Sequence, residues 1–402
     1  MNLTMKVGFG RSALAGWIAL LISFALPLMA HAQTEDPKTR APIEPADALP
    51  VLGPKPFIDY FKPIPVKGNL SKEAWGAAEV GARDQGNGLE DPNMSRWNYW
   101  DGQILKGDDG KYRMFASRWD QSLGHKGWGR SKGVWAVSDT VLGPYRDMGL
   151  TWPDDQEGKG HNVTALRLQD GTYAVVVSET RNGDVFVSPN IDGPWRNLGC
   201  INVDQSEFTS VKTPGDIPNQ MPAQPWKASN VSIMARPDGG FEIIQRSGQI
   251  LISRTGILGP YKVMGDSIYR GISGIPQRDM RAYEDPVIWF SGGWYHVIVN
   301  HWRERRAYHL ISRNGVDAWR FQGLAYEPGA QFIRYSTGVV NNWNKLERPG
   351  VVLEKGHVIA MSFAVVDTPK ESQIGNNGHG SKIIVVPFDG ERMDSDLSGV
   401  DK

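Results

Sequence analysis

Apolar and aromatic residues in this chain come in short runs separated by Gly, Asp, Asn and Pro. The runs at 111–117, 133–138, 172–178, 184–187, 232–235, 241–245, 250–253, 287–290, 294–300, 307–312, 357–364 and 382–388 are rich in β-branched and aromatic residues, which predicts strands. A larger pattern overlies them. A turn of the Asp-Gly type opens a hairpin at Asp109-Gly110, Asp170-Gly171 and Asp238-Gly239. A Gly-Pro-aromatic step closes the unit at Gly143-Pro144-Tyr145, Gly193-Pro194-Trp195 and Gly259-Pro260-Tyr261. A period of roughly 50–60 residues built from short strands marks a radial repeat. No long helical periodicity and no strand–helix alternation interrupts it, which excludes a doubly wound parallel sheet. The expected fold is all-β, a single β-propeller of antiparallel sheets over residues 57–390.

The flanks differ in character. Lys6 and Arg11 precede an apolar stretch over 13–29, and Ala30-His31-Ala32 has the small-x-small form of a cleavage site. Residues 1–32 therefore read as a signal peptide. The expected location is periplasmic or secreted, with no membrane attachment after cleavage. Residues 33–56 are rich in Pro, Glu, Asp and Thr and read as an irregular leader, and 391–402 read as a polar tail. Within the repeat, 202–229 and 265–284 are too long for ordinary blade turns and are candidate functional loops.

Composition narrows the partners. The 44 Lys and Arg balance the 44 Asp and Glu among 402 residues, which argues against a nucleic-acid scaffold. Fifteen Trp, twelve Tyr and thirteen Phe supply inter-blade packing and also platforms for sugar rings. Cys200 is the only cysteine, so an exported chain has no internal disulfide. It reads as a small buried apolar residue, and the protein as a monomer.

Candidate chemistry gathers at the predicted blade openings. Gly160-His161-Asn162 offers a histidine suited to proton transfer. Asn230 and Arg246 flank the hairpin turned at Asp238, so antiparallel strands bring them to one rim, where an arginine can clamp a carboxylate. Tyr283-Glu284-Asp285-Pro286 leads to His296, expected to be packed, then to His301 and Arg303. His125 lies in a Gly-rich loop with Trp128, Trp100 and Asp101 open the first clear blade, and Glu347-Arg348-Pro349 opens the last strand pair. No Walker loop, zinc-protease helix, serine elbow or dinucleotide fingerprint is present. No cofactor is required by these groups, and calcium or zinc at a loop or in the central channel stays open.

The order of these motifs resembles the seven-bladed β-propeller polysaccharide lyases, the group of ulvan lyases and rhamnose–glucuronate lyases. The resemblance covers most of residues 90–388 and implies seven blades of four-stranded sheets. It also implies β-elimination on an acidic, uronate-containing polysaccharide. It assigns Arg246 to neutralise the carboxylate, assisted by Asn230, and His161 to move the proton. His125, Tyr283, His301, Arg303, Trp135 and Trp100 are the expected substrate contacts. A further family histidine falls at Trp135 and the family tyrosine at Asn230. Two other readings accompany it: a glycoside hydrolase using carboxylates such as Asp101, Glu284 and Asp285, and a non-catalytic carbohydrate-binding propeller.

Overall fold

The computed structural model describes residues 53–206 and 226–400. They form five blades arranged around a ring, not seven. The first blade is Trp97–Lys106, Tyr112–Asp120, Lys132–Ser138 and Arg146–Leu150. The second is Val163–Arg167, Tyr173–Val177, Asp184–Ser188 and Arg196–Cys200. The third is Ser232–Ala235, Phe241–Ile244, Ile250–Ser253 and Tyr261–Val263, with Val203–Asp204 added in parallel to its outer strand. The fourth is Tyr283–Ser291, Trp294–His301, Arg306–Ser312 and Arg320–Tyr326. The fifth is Lys345–Glu354, His357–Val366 and Ser381–Pro387. In each blade the first strand is innermost, and the inner strands of the fifth and first blades touch, which closes the ring. The repeat visible in the sequence supports no further blades: the seven-bladed expectation came from the family resemblance, and closure of this ring removes it.

The strands form because both faces of each sheet are buried. Side chains alternate across a strand. In the second blade, Tyr173, Val175 and Val177 pack towards Phe115 of the first blade. The intervening Ala174 and Val176 pack towards Ile233 and Ile243 of the third. Such strands read as continuous apolar runs, the pattern seen in the sequence. The other three interfaces each hold their own apolar cluster: Ile244 with Ile288, Trp289 with Phe363, and Val385 with Met114.

An amino-terminal segment locks the ring. Leu89 and Ile383 exchange backbone hydrogen bonds of 2.9 Å, which adds a fourth edge to the three-stranded fifth blade. Gly88 meanwhile bonds Leu142 and Tyr145 of the first blade. A Cβ at Gly88, where φ is +74°, would lie 1.8 Å from the Ile383 carbonyl oxygen, so only glycine fits this seam.

Two expectations about the periphery change. The tail read as polar forms a helix, Gly390–Leu397, because Met393 and Leu397 bury into the cluster between the fourth and fifth blades. Cys200 is exposed, because it ends the outermost strand of its blade, where it bonds Asp184. The signal-peptide segment and almost all of the leader lie outside the described residues. Among the described residues no helix is long and apolar enough to cross a membrane.

Candidate active site

Each inner strand opens in the same strained way. Asp101, Asn162, Asn230, Asp285 and Arg348 occupy equivalent positions on the five blades, with φ of +70°, +55°, +47°, +53° and +48°. Left-handed backbone costs a non-glycine residue about 1–2 kcal/mol, so its fivefold recurrence marks a constraint shared by all the blades. Bulges next to Asp101, Glu284 and Glu347 re-aim the adjoining side chains. The five left-handed residues make a buried polar ring. Arg348 Nε donates to Asp101 Oδ1 at 3.1 Å, and its Nη1 lies 3.6 Å from Asp285 Oδ1. Asn230 Nδ2 donates to Asp285 Oδ1 at 2.8 Å. The Val163 amide and the Ser117 hydroxyl both donate to Asp101 Oδ2.

The residues one step earlier, Trp100, His161, Ser229, Glu284 and Glu347, surround a cavity of about 210 Å³ above this ring, which all but Ser229 line. One wall is aromatic. Trp100, Trp119 and His125 sit with ring centroids 5.4–6.2 Å apart. His161 lies 6.0 Å from Trp119 and 5.1 Å from Trp128. Trp128, 41% exposed, stands at the mouth.

The other wall is ionic. Glu284, Asp285 and Glu347 bring carboxylate oxygens within 4.8 Å of one another. Three acids this close cannot share one protonation state. Burial raises the Glu284 carboxyl to about 8, helped by the charges of Glu347 and Asp285. Burial likewise raises Asp285 to about 6, against the pull of Arg348. Burial would also raise Glu347, but Lys370 bonds its Oε2 and Lys345 stands 3.5 Å from its Oε1, and these hold it down at about 2. The surroundings thus push the two carboxyls apart, Glu284 towards holding its proton and Glu347 towards ionisation.

Glu179 enters from the second blade. Its backbone N–H bonds the His161 carbonyl, as that of Arg246 bonds the Ser229 carbonyl, so Glu179 and Arg246 are equivalent positions on neighbouring blades. Glu179 Oε1 accepts from Ser229 Oγ at 2.7 Å and from the Asn230 amide at 2.9 Å. Burial lowers His161 to about 4 and His125 to about 3, so both are neutral. Ser131 Oγ donates to the Gly160 carbonyl and receives Nδ1–H of His161, which leaves Nε2 as an acceptor.

Of the residues singled out in the sequence, His161, Asn230, Arg246, His125 and Trp100 meet in this one cavity. Four of the expected substrate contacts do not line it. The Tyr283 ring is buried between Tyr269 and His301, and its hydroxyl donates to the Pro276 carbonyl. His301 is buried against Tyr283. Arg303 pairs with Asp279 at 2.7 Å. Trp135 packs in the cluster between the first and second blades. Asp101, also considered as an acid, is spent on Arg348 beneath the floor. Glu179, Lys370 and Trp119 were not singled out in the sequence. Equivalence with Arg246 in the repeat would have found Glu179, whereas Lys370 sits in a loop with no repeat to mark it.

Among the described residues two groupings have metal-ligand spacing: Glu284, Asp285 and Glu347, where the Lys370 ammonium already neutralises charge, and Glu79, Asp367 and His379 at the fifth blade. A larger groove of about 610 Å³ lies between the third and fourth blades, but there Asp266 is already paired with Arg270. The smaller cavity holds the reactive grouping.

No family model matches the chain, and no curated protein matches its sequence. Among solved structures, a glycoside hydrolase aligns with a TM-score of 0.51 at 15% identity, over 75% of this chain and 61% of that one. The chain thus spans less than two thirds of that protein. A family 43 β-1,3-galactosidase with galactodeoxynojirimycin aligns at 0.44 and 15% identity, over 73% of this chain and 92% of its own. A family 117 glycoside hydrolase from the marine bacterium Zobellia galactanivorans aligns at 0.46 and 13% identity, over 82% and 90%. The class defined is the five-bladed β-propeller. The lyase expectation is corrected with it: it rested on a seven-bladed family, whereas this ring has five blades and the structure aligned at 0.51 is a glycoside hydrolase.

Proposed function

We propose that the protein is a glycoside hydrolase that removes one sugar unit at a time from the end of a carbohydrate chain. The observation that carries this reading is the close pair Glu284 and Glu347, whose surroundings raise the one carboxyl and lower the other, facing an aromatic wall in one cavity. Environments that push neighbouring carboxyls apart are how acid and base roles are divided. The cavity is smaller than the roughly 300–1,000 Å³ of sites for larger ligands, which suits a single ring.

Glu284 is the proton donor to the glycosidic oxygen. Glu347 is not its catalytic partner. Oxygens within 4.8 Å leave no room for the water that inverting pairs accommodate at about 6.5–9.5 Å. Both Glu347 oxygens are also engaged by lysines. Its work is to keep Glu284 protonated. Glu179 is half-buried, with Oε1 fixed by two donors and Oε2 left to polarise a water. The C–O bond breaks as Glu284 gives up its proton, water attacks the anomeric carbon from the other face, and Glu179 takes the water proton. His161 Nε2 accepts a sugar hydroxyl, and Trp128 stacks on the next ring.

Product released from a glycan panel and followed immediately by proton NMR tests this. Inverted anomeric configuration is expected, with loss of turnover in Glu284→Gln and Glu179→Gln. Retained configuration would make Glu347 a nucleophile and overturn the assignment of Glu179.

A further inference from the structure

We propose that Arg246 selects sugars carrying an anionic substituent, a carboxylate or a sulfate, by binding that group beside the proton donor. This rests on the hydrolase reading of the same cavity. The positive charges around the site are not equally committed. Lys370 is bonded to Glu347, and Arg348 is divided between Asp101 and Asp285. Arg246 has one carboxylate neighbour, Glu284 Oε2, at a long 3.4 Å from Nη2.

Its remaining bonds go to backbone carbonyls. Nε donates to Tyr283 O at 3.1 Å, and Nη2 reaches Arg281 O at 3.5 Å. These aim the guanidinium without neutralising it, and among the described residues Nη1 donates to nothing. The side chain is 33% exposed and lines the cavity. Glu284, holding its proton, offers this cation little compensation. An arginine held from behind by carbonyls, with its fork open to a cavity, is arranged to bind a planar or tetrahedral anion through parallel N–H bonds.

The placement has a catalytic consequence. An uncompensated Arg246 draws the proton off Glu284, whereas an anion bound to Arg246 cancels that pull. A substrate with the matching charge therefore strengthens the hold of Glu284 on its proton, and a neutral substrate leaves that hold as it is.

The test uses end-labelled oligosaccharides of polyuronates and of sulfated galactans, each beside its carboxyl-reduced or desulfated counterpart. The carboxylate and sulfate arms separate the two sources of charge. Wild-type protein is expected to favour one anionic arm over its neutralised partner in kcat/KM by about tenfold or more, the scale of a charge-assisted bond. Arg246→Gln is expected to bring that ratio near one, and Arg246→Lys to restore part of it. A wild-type ratio near one, or a ratio unchanged in Arg246→Gln, overturns the proposal. Calorimetric binding of the same panel, to wild-type protein or to Glu284→Gln where turnover occurs, separates the two claims. Preferential binding of an anionic arm that is never hydrolysed contradicts the hydrolase reading but not the selection. Equal binding of each anionic arm and its neutralised partner, or binding of neither, contradicts the selection.

Discussion

Arg348 of the fifth blade donates from Nε to Asp101 Oδ1 of the first at 3.1 Å, with both side chains buried. The same guanidinium lies 3.6 Å from Asp285 of the fourth blade, so one cation ties three blades together beneath the cavity. Breaking a buried ionic group by removing one partner costs about 3–5 kcal/mol, because the other charge is left behind. Arg348→Met should lower unfolding stability by that amount in chemical denaturation. Adding Asp101→Asn and Asp285→Asn should recover a substantial part of it.

Glu284 sets a pH limit with a definite sign. Its carboxyl is raised from 4.5 to about 8 in the fold. Between those values the native protein holds a proton that the unfolded chain has lost. The stability this contributes is complete below about pH 4.5 and disappears as pH rises towards 8. Glu284→Gln cannot ionise, so its stability relative to wild type should improve across that window in denaturation series. Activity should fall on the alkaline side near pH 8, as the donor loses its proton.

Glu347→Gln tests the origin of that limit. It removes the anion that raises Glu284 and frees the Lys370 charge, which lowers it. The alkaline limb of the pH–rate profile should move to lower pH. An unmoved limb would mean that burial alone sets the Glu284 proton affinity.

Trp128→Ala addresses the mouth. The side chain is 41% exposed, so the fold should be unaffected. KM for substrates of two or more rings should rise by roughly two- to tenfold, the size of an aromatic contact. A single-ring glycoside should be insensitive.

The blades were legible in the sequence because sheets buried on both faces leave continuous apolar runs, as at Tyr173–Val177. The number of blades was not legible, because it depends on closure, here made by Leu89 against Ile383 from opposite ends of the chain. His161, Asn230 and Arg246 were readable as a group, since strand openings fall on one rim. Tyr283 and His301 misled because inward-facing residues on a strand alternate between the cavity and the neighbouring blade. Tyr283 took the blade side and Glu284 the cavity side. Lys370 was hidden because its loop reaches the site only through the fold, with Gln373 O bonding the His125 amide.

The central claim is hydrolysis with Glu284 as proton donor. It is tested most directly by digesting the glycan panel in heavy-oxygen water and reading the product by mass. A saturated product carrying one heavy oxygen at the new reducing end is expected, formed by the wild-type protein and not by Glu284→Gln. An unlabelled, unsaturated product, or full turnover in Glu284→Gln, would contradict it.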